Sequence, residues 1–180
     1  ARLVEMAHTN AVERLARERG RTTREQKLLD ELAQVLGLNA APHRIESYDI
    51  SNWGDGTSVA GMVVFEDGKP KKSGYRKFRI QSVAGTDDYA SMAEALSRRA
   101  AEYEKGTAGQ FGQKPDLILL DGGKGQVSAV KAVLAGTALA DVPLFGMVKD
   151  DHHRTRAIVT AEGGEIAISM HRGIFTFITS

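Results

Sequence analysis

The chain contains no cysteine. That excludes disulfide bonds, thiolate-held zinc and a cysteine nucleophile, and it suits a reducing, cytoplasmic setting. No apolar run approaches the ~20 residues of a membrane helix, and the opening residues ARLVEMAHTN hold no signal-peptide core, so no membrane partner is expected. Neither sign of charge is in excess: 24 Lys and Arg against 23 Asp and Glu leave a net charge of +1. Strong nucleic-acid binders are often far more basic, so any DNA contact must come from local patches. There is no internal repeat and no low-complexity tract. A P-loop is also lacking. The run DGGKGQ misses the GxxxxGK spacing, and no Ser or Thr follows its lysine, which makes nucleotide binding there a poor reading.

The 180 residues suffice for one domain of ordinary size with a core of its own. Its organising stretch is Lys114–Gln126, KPDLILLDGGKGQ. The continuously apolar Leu117–Leu120, bounded by turn residues, reads as a strand buried on both faces. It delivers Asp121 to the carboxyl edge of a sheet, where open α/β folds place their sites. Gly122, Gly123 and Gly125 are expected to let the backbone turn and approach a ligand closely.

Taken in order, residues 1–36 read as helix with a narrow apolar stripe at Ala7, Ala11 and Leu15, a segment lying outside the main core. Gly20 is expected to interrupt it and Thr23-x-x-Gln26 to form a capping box, before Leu28, Leu29, Leu32, Val35 and Leu36 resume with helical spacing up to Gly37. HRIESYDIS, 43–51, switches to period two: Ile45, Ser47 and Asp49 share one face, Glu46, Tyr48 and Ile50 the other. Val59–Glu66 and Lys69–Ile80 follow around Asp67-Gly68, a strong hairpin signal, and the three runs make an antiparallel meander. Thr86 caps a helix with Asp87 and Asp88 in its first turn. Then come the strand to Asp121, a helix ended by Gly136, another central strand at Pro143–Val148, and a second hairpin formed by Thr155–Thr160 and Glu165–Ser169. GIFTFITS, 173–180, looks like the start of a helix.

This order predicts an α/β fold with a mixed five-stranded central sheet, three antiparallel strands then two parallel, with flanking helices and a helical segment in front. The strand ending at Asp121 fits beside the first strand and parallel to it. Asp49 and Asp121 then stand on adjacent strand ends, hard oxygen ligands suited to Mg²⁺ or Mn²⁺. Two such ions could clamp the attacking and leaving oxygens of a phosphodiester. Blander readings stand beside this one. Asp121 could be a helix N-cap, and Glu46 could replace Asp49, although period two puts them on opposite faces. Lys124 could steady a phosphate or be a solvated lysine. Lys149, His152, His153, Arg154 and Arg156 form a phosphate-contacting patch if their loop reaches the same edge, or an ordinary basic loop if it does not. The basic residues from Lys69 to Arg79 read as an exposed strand face rather than a binding site. Trp53 could stack on a base, though a partly buried anchor is more usual.

The blocks RIESYDIS, SVAGMVVFEDGKP, YRKFRI, GTDDYASM, PDLILLDGGKGQ and KDDHHRTRA resemble, in order and spacing, the C-terminal endonuclease half of UvrC, the incision subunit of bacterial nucleotide excision repair. The resemblance covers most of residues 42–180. It implies a ribonuclease H-like, metal-dependent endonuclease that cuts on the 5′ side of a lesion. Asp49 matches the catalytic aspartate of the family's YDIS block and Asp121 that of its DGGKGQ block, with Mg²⁺ or Mn²⁺ as cofactor. It implies damaged double-stranded DNA as substrate, UvrB as a partner through other regions, and a UvrA-dependent pathway. It also implies a third catalytic residue, a histidine in a helix directly after Thr179–Ser180. The expected division is therefore a helical linker segment, 1–40, and an endonuclease domain, 41–180, cut short at its end, with weak or no activity alone. His171 is a poor substitute for that histidine. The alternative is a non-catalytic nucleic-acid-binding or scaffolding domain of the same fold.

Overall fold

The computed structural model describes residues 2–82, 87–152 and 155–167. Period-two patterning becomes the first two strands, β1 (Arg44–Asn52) and β2 (Ser58–Glu66), paired antiparallel along their full length from Arg44↔Glu66 to Asn52↔Ser58. The apolar run becomes β5 (Leu117–Asp121), with its first four residues fully buried. It lies parallel to β1 in the register Ile45↔Leu117 to Tyr48↔Leu120, the slot the sequence predicts. A second parallel strand, β6 (Leu144–Lys149), pairs with β5 from Ile118↔Leu144 to Asp121↔Met147.

The third expected strand is divided. β3 (Lys69–Pro70) and β4 (Arg76–Arg79) both pair with β2, separated by a 3-10 turn at Lys72–Gly74. Pro70 has no N–H for a ladder. Gly74 then sits so close to β2 that a Cβ there would lie 2.9 Å from the Val64 side chain. The second hairpin, β7 (Thr155–Val159) and β8 (Glu165–Ala167), does not stand apart: β7 pairs antiparallel with β6. The sheet thus grows to eight strands in the order β3-β2-β1-β5-β6-β7-β8, with β4 also on β2. The expected helix at 173–180, Ser169 and His171 lie outside the described residues.

Helices cover both faces. α2 (Asp88–Glu104) and α3 (Lys124–Leu134) bury Met92, Leu96, Val127 and Val130 against Tyr48, Met62, Ile118 and Leu120. Asp87, rather than a residue of the first turn, is the N-cap of α2: its carboxylate accepts from the N–H groups of Tyr89 and Ala90, both at 3.1 Å. Thr86, expected in that role, lies outside the described residues. The opposite face is covered by α1 (Arg2–Leu36), which buries Leu29, Leu32 and Leu36 against Ile45, Leu117, Leu119 and Met147. Gly20 does not break α1. A single helical glycine costs about 1 kcal/mol, too little to stop a helix rich in Glu, Arg, Leu and Ala. Thr23 and Gln26 are therefore interior, and Gln26 donates instead to Asp30 at 3.0 Å. The early apolar residues Leu3, Val4, Met6, Val12 and Leu15 remain exposed. No helix among the described residues is long and apolar enough to cross a membrane.

Candidate active site

Leu117 and Leu119 face α1, so Asp121, two residues further along a pleated strand, faces the same way. Ile45 and Asp49 hold the matching positions on β1. The parallel register pairs Ser47 with Leu119 and Tyr48 with Leu120, and one further step sets Asp49 beside Asp121. β6 adds a third group. Asp121 pairs with Met147, and Lys149 lies two residues on, where its Nζ meets Asp121 Oδ2 at 2.8 Å. Three adjacent parallel strands thus each carry a charged side chain on one face at or near the carboxyl end, two acids and one base.

The electrostatics show what this arrangement lacks. Asp49 holds its proton more tightly than an ordinary aspartate. Desolvation is the main cause and the charge of Asp121 the next, against a smaller downward pull from Lys149. The two carboxylates repel, and one ammonium only partly offsets them. Room for the Asp49 side chain comes from Gly61, its neighbour on β2: a Cβ on Gly61 would sit 2.5 Å from Asp49 Oδ1. A glycine inside an otherwise β-branched strand signals such a close approach, and that signal was present in SVAGMVV.

The glycines after Asp121 act here through the space they leave rather than through left-handed backbone angles. None of Gly122, Gly123 or Gly125 has a positive φ. Gly122 and Gly125 make room for neighbours: a Cβ would lie 2.5 Å from the Gln126 side chain at the first and 2.4 Å from the Tyr89 ring at the second. Gln126 in turn accepts from the Gly123 N–H at 3.0 Å, which fixes the start of α3. These residues pack the helix onto the strand end and leave Asp121 half-buried at its rim.

Glu46 is no substitute for Asp49. It lies on the other face, fully buried, and accepts from Arg44 Nε, Arg99 Nε and Arg99 Nη2, each at 2.9 Å, and from the Tyr48 hydroxyl at 2.5 Å. Burial works against the charge of Arg99, but the hydrogen bonds and charge of Glu46 outweigh it and hold the guanidinium above its ordinary value. Burial, and then the Glu46 charge, push the Tyr48 hydroxyl up. The same two arginines bind the carbonyls of Gln110, Phe111 and Gln113, tying the loop before β5 to β1.

Among the expected phosphate contacts, Lys149 stands directly on the acidic pair. His152 is exposed in the turn after β6, at the same edge, its N–H bonded to Asp150 Oδ1 at 2.8 Å. Lys124 is exposed but directed elsewhere, with its side chain against the β7–β8 turn at Gly163. Arg156 is a residue of β7, and His153 and Arg154 lie outside the described residues. Among the described residues, no group of three or more His, Cys, Asp or Glu is placed to hold a metal ion. The donor set at Asp49 and Asp121 nonetheless fits a hard divalent cation: it is all oxygen, like-charged, and already drawing in the Lys149 ammonium.

A family model described as the UvrC RNAse H endonuclease domain matches residues 33–180. The UvrABC system protein C of Clostridium acetobutylicum is 46% identical over 168 residues, covering 86% of this chain and 26% of that protein. Its counterpart in Lachnospira eligens is 46% identical over 190 residues, covering 99% of this chain and 30% of that protein. The chain therefore spans less than a third of the length of these relatives. Among solved structures, Endonuclease V of Ciona intestinalis in complex with inosine-containing DNA aligns with a TM-score of 0.44 and 16% identity over 77% of this chain and 58% of that one.

Proposed function

The chain belongs to the UvrC RNase H endonuclease domain family, and from that premise we propose that it hydrolyses a DNA phosphodiester on the 5′ side of a lesion, using Mg²⁺ or Mn²⁺ held by Asp49 and Asp121. The family is an endonuclease family, and the mixed sheet with its parallel centre and flanking helices bears out the ribonuclease H-like fold expected from the sequence. What carries the reading is the register of β1 against β5, which aligns the two carboxylates on one face at the carboxyl edge. A divalent cation bound there would activate a water and neutralise charge at the scissile phosphate. Asp49 and Asp121 supply its ligands. Lys149, paired with Asp121 at 2.8 Å, stands where its ammonium would meet a phosphate oxygen. His152 stands at the same edge to contact the backbone, and we extend that role to His153, Arg154 and Arg156 by their place in the same basic run of the sequence, whereas Lys124, turned towards Gly163, is left out of it.

We place this activity in the cytoplasm, on damaged double-stranded DNA, in a UvrA-dependent pathway, with UvrB met through segments the longer relatives possess. The helical segment 1–40 is taken as a linker whose last turns dock on the sheet, and 41–180 as the endonuclease domain. A second reading, a non-catalytic scaffold of the same fold, draws support from the Lys149–Asp121 ion pair, which partly neutralises the site without any metal. Mn²⁺ titration followed by electron paramagnetic resonance separates the two. The nuclease reading expects saturable binding that Asp49→Asn and Asp121→Asn each abolish. Binding that both variants leave unchanged, or none at millimolar Mn²⁺, overturns it. So would 5′ incision of damaged duplex by a full-length homologue carrying the change equivalent to Asp121→Ala.

A further inference from the structure

The rungs of the sheet continue past Asp49. Asp49 pairs with Gly61 on β2, and Gly61 with Lys77 on β4. Two rungs further out, Ser51 pairs with Val59 and Val59 with Arg79. Residues paired across a sheet share a face, so Asp49, Lys77 and Arg79 all project on the side of the acidic pair. Two strand spacings, about 10 Å, separate Asp49 from Lys77. Between them the floor is low, because Gly61 has no side chain. An open groove of about 570 Å³ follows this path, lined by Asp49, Ser51, Trp53, Val59, Gly61 and Lys77 among others.

Trp53 lines that groove from the β1–β2 loop and is 63% exposed, not the partly buried anchor its type usually makes. Lys77 and Arg79 are exposed, and neither side chain makes an ion pair with a described carboxylate. Their neighbour Arg76 is otherwise engaged, with its guanidinium over the Phe111 ring and hydrogen bonds to the carbonyls of Ser73 and Tyr75. One acid lies near the rim: Asp55 feels the charge of Arg79 but is bound to the backbone of its own turn, accepting from the Thr57 N–H at 2.9 Å. The groove therefore has Lys77 on one side, Trp53 exposed beside it and Gly61 and Val59 beneath, and it reaches Asp49, the near member of the acidic pair, with Arg79 following two residues after Lys77 on the same face.

We propose that this groove is a subsite for an unpaired stretch of the DNA strand leading away from the acidic pair, with a base stacked on Trp53 and its phosphates on Lys77 and Arg79. An aromatic platform beside a basic track is how sequence-independent single-strand sites are built. A duplex would keep its bases stacked on one another and leave Trp53 without a partner. The proposal rests on the nuclease reading for the identity of its ligand.

Trp53 is the only tryptophan in the chain, so its emission reports the contact directly. Oligothymidylate labelled at one end is titrated into the full chain in EDTA, with anisotropy reporting binding and tryptophan emission reporting stacking. The expected result is saturable binding with quenching, and binding without quenching for an abasic strand of equal length. Trp53→Ala should weaken the thymidylate complex about tenfold, and Trp53→Phe should restore most of it. Lys77→Gln with Arg79→Gln should weaken both complexes and lower the salt slope by about 1.4. Binding with unchanged emission, binding that the double variant leaves intact, or no binding at low salt overturns the subsite. Quenching by intact duplex equal to that by single strand does so too. None of these outcomes touches Mn²⁺ binding at Asp49 and Asp121, so either reading can fail alone.

Discussion

Glu46 and Asp49 belong to the same strand and to opposite faces, and they show two ways of placing a carboxylate. Glu46 is sealed between β1 and α2, and four donors from Arg44, Arg99 and Tyr48 use its lone pairs. It is a closed network that ties the 106–113 loop to the sheet and leaves nothing for a ligand. Asp49 looks outward beside a second carboxylate and the Lys149 ammonium that Asp121 holds, and burial, then the Asp121 charge, raises its affinity for a proton. Residue type does not separate the sealed acid from the open one here. What separates them is whether the protein itself satisfies the group.

The largest effect should come from opening the closed side. Glu46→Gln leaves the buried Arg99 guanidinium without its counter-charge and Arg44 with Glu66 alone, and breaking a buried pair this way costs about 3–5 kcal/mol. Urea unfolding should show a midpoint far below that of the parent chain. A loss under about 1 kcal/mol would mean that the network is dispensable, and the contrast with Asp49 would collapse. Asp121→Asn should do the reverse. It abolishes Mn²⁺ binding while leaving the urea midpoint unchanged or slightly raised, because it removes a like-charge neighbour of Asp49.

How far this contrast was legible in the sequence follows from the same residues. Period two in RIESYDIS was enough to place Glu46 and Asp49 on opposite faces, and the apolar run of LILLD was enough to set Asp121 at a strand end. Their adjacency followed from topology, because β2 and the meander occupy the other side of β1. The partners of Glu46 were not legible: Arg99 lies on α2 and Gln110 in a loop, brought together only by packing. Lys149 was visible as a basic residue near the edge but not as the counter-ion of Asp121, which depends on the parallel register of β6. The basic run in β4 read as a solvated strand face. Only its pairing with Gly61 and Val59 shows that half of it shares a face with the acidic pair. Local pattern fixed which residues end strands, and long-range pairing fixed what they meet.

Gly61→Ala tests whether the open side needs its room. The new Cβ would sit 2.5 Å from Asp49 Oδ1, the free end of a flexible side chain, so Asp49 should swing aside rather than disrupt the strand. Alanine is the better strand residue by about 0.5–1 kcal/mol. Stability should hold or rise, while Mn²⁺ affinity falls about tenfold, the lower end of what disturbing a metal site's surroundings costs. Calorimetric titration reads the second quantity and urea unfolding the first. Equal affinity in variant and parent would mean that the position of Asp49 does not depend on Gly61.

The smallest change is the most direct probe of the charge imbalance. The Lys149–Asp121 pair is partly exposed, 42% and 32% for the two side chains, so losing it through Lys149→Gln should cost only about 0.2–1 kcal/mol. Its electrostatic consequence is more specific. Burial and the Asp121 charge raise the Asp49 pKa from the ordinary 3.8, and Lys149 opposes them. Removing that opposition should raise it further. Because the folded state then binds the Asp49 proton more tightly than the unfolded chain, this group favours folding below the unfolded value, and that advantage is lost as pH rises through the folded value. The metal-free chain should therefore lose a little stability across that window, and Lys149→Gln should lose more and continue to a higher pH. Carboxyl ¹³C titration of Asp49, with urea midpoints from about pH 3 to 7, measures both sides of the linkage. An Asp49 titration that does not move in the variant would mean that Lys149 neutralises Asp121 alone, and that the two carboxylates do not behave as one site.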